Sequence, residues 1–246
     1  MSQAGQTDAT PAASQVSSLR MIMTLGLAGL FSGLMIVGMY EWTLPRITEN
    51  QARALRAAVF QVVPGSSTMQ KLIVQDGRLI VVGEEEAKGA AAIYAAYNAD
   101  AQFLGYAIPH EGSGFQDVIK LIYGYNPAEK TVVGLQILES RETPGLGDKI
   151  IKDADFKQNF QRLSVEPEIR AVKKGAKSAA NEIDAITGAT ISSKAVVKIL
   201  NAGNATWVPL LPEPGSEPPA ARGEAPAEGQ APSMNDDHPP ANEGGQ

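Results

Sequence analysis

The chain has 246 residues, two histidines, no cysteine and a formal net charge of −6 at pH 7. This length allows one or two domains, and the negative charge does not favour binding to nucleic acid. Without cysteine, disulfides, thiolate-bound iron–sulfur clusters and cysteine-ligated zinc are excluded, and two histidines make a histidine-rich metal site unexpected. We therefore predict no metal site, and any redox chemistry would depend on an organic cofactor.

The first predicted element is a membrane span. Residues 21–40 read MIMTLGLAGLFSGLMIVGMY, without a charged side chain. That length matches the hydrocarbon core of a bilayer. Gly29 and Gly33 form a small-residue pattern common in membrane helices, and Trp42 is placed as interfacial aromatic residues are. A signal peptide would have a shorter apolar region followed by a cleavage site, which is missing here. We predict a transmembrane helix over residues 19–43, after a disordered N-terminus over 1–18.

The charges around this span favour one orientation. Arg20 precedes it, whereas Arg46, Arg53 and Arg56 follow it. By the positive-inside rule, the domain after the span would lie in the cytoplasm. The rule is statistical, so the orientation stays open at this point.

The middle of the chain predicts an α+β domain. An amphipathic helix, ITENQARALRAAVFQVV, ends at Pro64 and Gly65, and two β-rich runs then flank an Asp76–Gly77 turn, which is typical of a hairpin. Further runs with strand character are AAIYAAYN, FLGYAIP, DVIKLIYGY and TVVGLQIL. Helical patterns return in DADFKQNFQRL and ISSKAVVKILNAG. Strands with helices at the flanks indicate an α+β fold.

The end of the chain has a different composition. Nine of the sixteen prolines lie from Pro209 onward, and apolar residues become rare. Such a segment cannot bury enough apolar surface to fold. We predict a disordered tail rich in Pro, Ala and Glu over residues 208–246, so that the folded domain covers 44–207.

The first motif with chemical interest is ETPGLG, residues 142–147. Pro144 and Gly145 suit the centre of a type II turn, because proline fixes φ and glycine accepts a positive φ. Gly147 allows close approach of the backbone to a ligand, and Asp148 is expected to cap a helix over DKIIKDADF. Alone, this motif predicts only a sharp, exposed loop.

The second motif is TGAT, residues 187–190, preceded by Asp184. Gly188 and Ala189 permit a tight turn, after which Thr190 enters a helix. The first turn of that helix has free N–H groups and the positive end of the helix dipole, which suit a phosphate. Further donors could come from three neighbouring side chains, those of Ser192, Ser193 and Lys194. The simpler interpretation is a plain helix N-cap.

Together, ETPGLG, D-x-x-TGAT and the N-terminal span resemble the G subunit of the Rnf (Rsx) electron-transport complex over about residues 18–205. The C subunit of the sodium-pumping NADH:quinone reductase shares the flavin-binding domain. The resemblance implies an α+β FMN-binding domain in which a flavin transferase joins FMN, through its phosphate, to Thr190. It implies that the transferase motif and the flavin surroundings include Asp184, Thr187, Gly188 and Ala189. It implies that the loop beside the flavin ring includes Glu142, Thr143, Gly145, Leu146 and Gly147. Arg141 stands where the family often has histidine.

The function implied by the resemblance is that of a membrane-anchored electron carrier. Such a protein belongs to an Rnf-type translocase that couples electron transfer between ferredoxin and NAD to ion movement across the inner membrane. The implied partners are Rnf proteins of the A, B, C, D and E types, the flavin transferase and membrane lipid. The resemblance places the domain on the periplasmic side, against the local arginine count. No catalytic acid or base is expected, and His110 is predicted to be a loop residue.

Two alternatives remain open at the level of the sequence. The chain could be the C subunit of a sodium-pumping quinone reductase, with the same flavin chemistry in another assembly. It could also be a non-redox, membrane-anchored binding or scaffold module in which both motifs are structural loops.

Overall fold

The computed structural model describes residues 18–83 and 89–220. The chain divides into two compact units, with the boundary between Arg53 and Ala54. Residues 1–17 of the predicted N-terminal segment and residues 221–246 of the predicted tail lie outside the described residues.

A single long helix, α1, runs from Ser18 to Val62 and crosses the boundary between the units. The sequence predicted a span and a separate amphipathic helix, but the structure joins them, with Pro45 inside the helix. Proline removes one backbone hydrogen bond, and the hydroxyl of Thr48 contacts the nearby Leu44 and Pro45 carbonyls at 3.2 and 2.9 Å. Within the described ranges, α1 is the one helix whose length and composition suit a membrane span. Its apolar side chains between Leu19 and Trp42 are exposed.

The second unit is built on a seven-stranded antiparallel sheet with the order β2-β1-β3-β4-β5-β6-β7. Its strands are β1 (Thr68–Gln75), β2 (Arg78–Val82), β3 (Ala92–Tyr97), β4 (Phe103–Ser113), β5 (Val118–Asn126), β6 (Thr131–Glu139) and β7 (Leu163–Ser164). A separate parallel pair consists of β8 (Arg170–Lys173) and β9 (Glu182–Ala185). The other helices are α2 (Lys149–Lys152), α3 (Ala154–Gln158) and α4 (Thr190–Trp207).

The predicted α+β class is confirmed, as are the hairpin and the four longer predicted strands. Asp76 and Gly77 have φ angles of 50° and 76°, the left-handed conformation that a two-residue hairpin turn needs. Because Gln75 pairs with Arg78, these two residues alone form the connection.

Helices pack on both faces of the sheet. The end of α1 buries Val59 and Val62 against one face, together with Ala107 and Ile122 of the sheet. On the other face, α4 packs into the larger core. Gly124 and Gly134 lie under the Val62 carbonyl, so close that a Cβ at either position would collide with that backbone oxygen. The sheet therefore depends on these two glycines where α1 ends.

The helix predicted over DKIIKDADF is wrong, because two short helices form in its place. Asp148 makes no capping bond and contacts the Lys152 ammonium at 2.7 Å. Asp153 takes an extended conformation and accepts a hydrogen bond from the Phe156 amide at 2.9 Å. Since Asp153 caps α3, it ends α2 at Lys152. The helix predicted over DADFKQNFQRL begins as expected but ends early, because α3 covers only Ala154–Gln158.

The predicted loop position of His110 is also wrong, because His110 lies within β4, opposite Leu121 of β5. The sequence prediction ended this strand at Pro109. Past Ala107, β4 no longer pairs with β3, so the missing N–H of Pro109 costs no ladder bond there. His110 is half-buried against Gly203 of α4, and this burial lowers the pKa of His110.

The described residues continue past α4 as a packed segment. After a 3₁₀ turn over Val208–Leu210, the chain lies against the core through Leu211 and Ala220. Tyr97 and Gln70 donate hydrogen bonds to the carbonyls of Pro218 and Pro219. The predicted disorder from residue 208 therefore does not describe residues 208–220, whose few apolar side chains find places on the domain.

Candidate functional site

The two sequence motifs form the same kind of turn. In ETPGLG, the Leu146 amide donates to the Thr143 carbonyl at 3.1 Å, and Gly145 has a φ of 78°. In the second motif, the Ala189 amide donates to the Ile186 carbonyl at 3.0 Å, and Gly188 has a φ of 83°. A positive φ at the third residue, with Pro144 and Thr187 outside the positive-φ region at the second, is typical of a type II turn, as predicted for residues 144 and 145.

Thr190 is the first residue of α4, and its side chain is exposed. The simple N-cap interpretation is wrong, because the capping position is Ala189, which has no side-chain oxygen to accept a bond. The Thr190 hydroxyl lies 3.5 Å from the Ile186 carbonyl, which is long for a hydrogen bond. This hydroxyl therefore stands at a helix N-terminus without a capping role.

A cleft of about 330 Å³ brings the two motifs together. Six of the predicted residues line it: Thr143, Leu146, Gly147, Gly188, Ala189 and Thr190. Three further residues complete it: Ser192, which the sequence suggested only as a phosphate donor, and Phe115 and Ile191, which it did not single out.

The rim of the cleft is apolar although it faces solvent. The exposed fractions of Phe115, Leu146 and Ile191 are 63%, 53% and 59%. Exposed apolar side chains gathered at one cleft mark a surface that binds an apolar group. The volume lies at the lower end of the range for small-molecule pockets, roughly 300–1,000 Å³. A flat aromatic ring system fits such a place.

Four predicted site residues do not line this cleft: Glu142, Gly145, Asp184 and Thr187. Asp184 lies in β9, where its carboxylate accepts from the Gly175 amide at 2.8 Å. It lines a neighbouring, more polar cavity of about 360 Å³ with Asp155 and Lys174. Asp184 therefore faces that second cavity and bonds to the Gly175 loop.

The side chain of Glu142 is buried and does not line the cleft. One carboxylate oxygen accepts from the amides of Phe115 and Gln116 at 2.8 and 3.0 Å. The other accepts from the Ser192 hydroxyl at 2.5 Å. Burial alone would raise the pKa of Glu142, but these hydrogen bonds outweigh burial and hold the pKa below its ordinary value. The carboxylate is therefore ionised at neutral pH.

The expected serine donors are already engaged inside the domain. Ser192 donates to Glu142, and the Ser193 hydroxyl donates to the Ala189 carbonyl at 2.9 Å. Lys194 lines a different groove, beside Glu168 and Arg170. These three side chains are therefore not phosphate donors in this arrangement.

A cation that the sequence reasoning missed lies beside the second turn. A Cβ placed on Gly188 would lie 3.8 Å from the Lys149 ammonium. Arg141, by contrast, is exposed and stands 3.7 Å from both Asp117 and Glu139. Lys149 therefore lies beside the Gly188 turn, which precedes Thr190 by two residues, and no pattern in the sequence indicated this contact.

Comparison with known proteins identifies the family of the chain. Residues 114–204 match the family described as "FMN-binding domain". The chain is 30% identical over 189 residues to the G subunit of the ion-translocating oxidoreductase complex of Shewanella piezotolerans, covering 74% of this chain and 85% of that protein. It is 32% identical over 171 residues to the G subunit of the same kind of complex in Vibrio vulnificus, covering 68% and 78%.

Two solved structures share the fold. The crystal structure of NqrC from Shewanella oneidensis has a TM-score of 0.53 and 17% identity, covering 62% of this chain and 91% of that one. The C subunit of the Na(+)-translocating NADH-quinone reductase from Parabacteroides distasonis has a TM-score of 0.54 and 20% identity, covering 68% and 97%. At these identities the likeness shows the fold alone, whereas the likeness in sequence to the G subunits is closer. The chain belongs to the G subunit family of ion-translocating oxidoreductase complexes.

Proposed function

We propose that this protein is a membrane-anchored electron carrier, with FMN joined covalently through its phosphate to Thr190, in an Rnf-type ion-translocating complex. One observation carries the proposal: Thr190 is the first residue of α4, and its exposed hydroxyl lies at the edge of an apolar cleft. Membership in the G subunit family and the FMN-binding domain support it.

The residues present fit this cofactor. Phe115, Leu146 and Ile191 offer apolar surface to the flavin ring, while Thr143 offers polar contact at the edge of the cleft. The N-terminus of α4 and the nearby Lys149 supply positive potential for a phosphodiester attached at Thr190. When bound, the flavin supplies the acceptance and release of electrons, and the chain supplies position and electrostatics.

Attachment to Thr190 requires an activated donor, because a phosphate monoester does not condense with a hydroxyl in water. A flavin dinucleotide meets this requirement through its phosphoanhydride bond. The Thr190 oxygen forms a bond to the phosphorus on the FMN side, the anhydride P–O bond breaks, and a nucleoside monophosphate leaves. The hydroxyl proton passes to a base of the flavin transferase. No residue of this chain acts as an acid or base in the proposal.

We further propose that residues 19–43 anchor the protein in the inner membrane and that the FMN-binding domain faces the periplasm. In this proposal the domain begins at residue 44 and extends beyond the predicted 207, to Ala220. Its partners are the other Rnf proteins, the flavin transferase and lipid. The complex couples electron transfer between ferredoxin and NAD to ion movement, as the names of two related proteins state for their own complexes.

Thr190→Ala tests the covalent site. We expect the full-length chain, made together with a flavin transferase, to fluoresce under ultraviolet light in a denaturing gel, and the variant to be dark. The matched control is Thr206→Ala, which removes an exposed threonine hydroxyl near the other end of α4. That control should fluoresce like the wild type. A fluorescent Thr190→Ala band, or a dark wild-type band, would contradict the proposal.

A further inference from the structure

The geometry points to Glu142 as a positioning residue that holds together the three segments lining the flavin cleft. Its fixed negative charge lies behind the cleft and lowers the reduction potential of a flavin bound there. This inference rests on the proposed function. The resemblance placed Glu142 in the loop beside the flavin ring, whereas in the structure its side chain is buried behind the residues that line the cleft. Glu142 does not line the cleft, so it acts through the residues it holds.

The carboxylate connects three segments that are distant in sequence. Through one oxygen it holds the backbone at Phe115, whose ring forms part of the cleft. Through the other it holds Ser192 in the first turn of α4, two residues from Thr190. Glu142 itself begins the ETPGLG loop, which supplies Thr143, Leu146 and Gly147 to the cleft. All three walls therefore meet at one buried side chain.

Two glycines show how closely the backbone surrounds this carboxylate. A Cβ at Gly147 would lie 2.5 Å from one carboxylate oxygen, and a Cβ at Gly114 would collide with the other. Gly147 also lines the cleft. No side chain can therefore stand between the charge and the cleft at this position, and the carboxylate lies directly behind the wall.

Among the residues that the structure describes, hydrogen bonds and not a cation stabilise the charge of Glu142. Over residues 18–83 and 89–220, no Lys or Arg nitrogen lies within 4.0 Å of its carboxylate oxygens. Its side chain is buried, so water screens the charge poorly. A negative charge beside the cleft opposes the addition of electrons to a flavin bound there, which moves the reduction potential to more negative values.

Two substitutions in the full-length chain separate charge from position. Glu142→Gln removes the charge and keeps an oxygen that the Phe115 and Gln116 amides can donate to. Ser192→Ala keeps the charge and removes the link to α4. Glu129→Gln is the control, because Glu129 is an exposed carboxylate in the turn between β5 and β6. Two quantities are measured: the flavin midpoint potential in loaded protein, and amide hydrogen exchange in protein made without the transferase.

We expect Glu142→Gln to shift the midpoint potential to a more positive value and Glu129→Gln to leave it unchanged. Ser192→Ala leaves the carboxylate with one donor fewer, so it should shift the potential to a more negative value. It should also speed exchange across residues 193–196, whose amides make the first hydrogen bonds of α4. Equal potentials in Glu142→Gln and Glu129→Gln, or wild-type exchange at residues 193–196 in Ser192→Ala, would overturn the inference.

Two further outcomes are decisive. If Glu142→Gln does not fold, Ser192→Ala decides: a more negative potential with faster exchange supports the inference, and anything else overturns it. The flavin content of the wild type, measured by intact mass, is checked first. A wild type without flavin contradicts the proposed function, while the exchange experiment still tests the positioning role because it uses unloaded protein.

Discussion

Gly145 and Gly147 stand two positions apart in the same loop, but they are required for different reasons. Gly145 has a φ of 78°, and a Cβ there would meet nothing within 4 Å. Gly147 is required by its surroundings, since its Cβ would lie 2.5 Å from a Glu142 oxygen and 2.9 Å from the Ser192 hydroxyl. The first glycine shapes the turn, and the second leaves room for the buried carboxylate.

Alanine at these two positions should therefore have distinguishable effects. Gly145→Ala should lower the free energy of unfolding by about 1–2 kcal/mol through backbone strain. Gly147→Ala should lower it by about 1–3 kcal/mol through overpacking and should also displace the Glu142–Ser192 contact. Denaturant unfolding measures both losses.

Flavin attachment separates the two variants. Gly147→Ala should load Thr190 poorly, because one wall of the cleft moves, whereas Gly145→Ala should load like the wild type. Intact mass after production with the transferase gives the loaded fraction. Equal loading of both variants would show that Gly147 does not shape the site.

For single residues, the sequence predicted features that depend on neighbouring residues, such as turns. It missed contacts between residues that are distant in the chain. The turn at Gly145 follows from a dipeptide, and it is confirmed. The contacts of Glu142 join residues 27 and 50 positions away, with Phe115 and Ser192. Such contacts exist only after the sheet and α4 have assembled, so the motif alone could not reveal them.

Among the elements, the segment after α4 differs most from the structure that its composition predicts. Residues 212–220 are rich in proline but lie on the domain, where the Tyr97 hydroxyl donates to the Pro218 carbonyl. Tyr97 packs against Phe103, which packs against Tyr106, with ring centroids 5.8 and 4.8 Å apart. Burial, followed by the nearby Glu217 carboxylate, raises the pKa of Tyr97 to about 12. The segment therefore helps to cover an aromatic cluster.

Truncation tests this role. A chain that ends at Leu211 loses the hydrogen bonds from Tyr97 and Gln70, together about 2 kcal/mol, and exposes part of the aromatic cluster. Its unfolding midpoint should fall by roughly 4–8 °C in a thermal melt. The control ends at Ala220 and keeps these contacts. Equal midpoints for the two chains would mean that residues 212–220 add no stability.

Long strands were predicted correctly from the sequence, and short strands were missed. Long alternating runs such as β5 and β6 were predicted, because each displays a full apolar face to the core. The short strands β7, β8 and β9 were missed, since two to four residues carry no readable period. The break between α2 and α3 was missed because Asp148 and Asp153 are both suitable N-cap residues, and the sequence does not show which of them caps a helix.

For the whole molecule, two arguments about orientation disagree: the family resemblance favours a periplasmic domain, and the local charge favours a cytoplasmic one. Three arginines closely follow the apolar run and one precedes it, which alone would keep the domain in the cytoplasm. The positive-inside rule weighs short loops, whereas a long domain can be translocated despite such charges. The proposed periplasmic position depends on that difference.

The absence of native cysteine makes this orientation measurable. Ala128→Cys places one thiol in the exposed turn between β5 and β6, and Ser18→Cys places one before the apolar run. In cells with a permeabilised outer membrane, we expect an impermeant maleimide to label Ala128→Cys and not Ser18→Cys. The reverse labelling would place the domain in the cytoplasm.

The central claim is the bond between Thr190 and FMN. Its most direct test is peptide mapping by mass spectrometry of the wild-type chain, purified from membranes in which the electron-transport complex is active. We expect the peptide that contains residues 187–190 to carry an added FMN phosphoryl group, with fragment ions that place it on Thr190. Recovery of that peptide unmodified from active material, or with the group on another residue, would contradict the account.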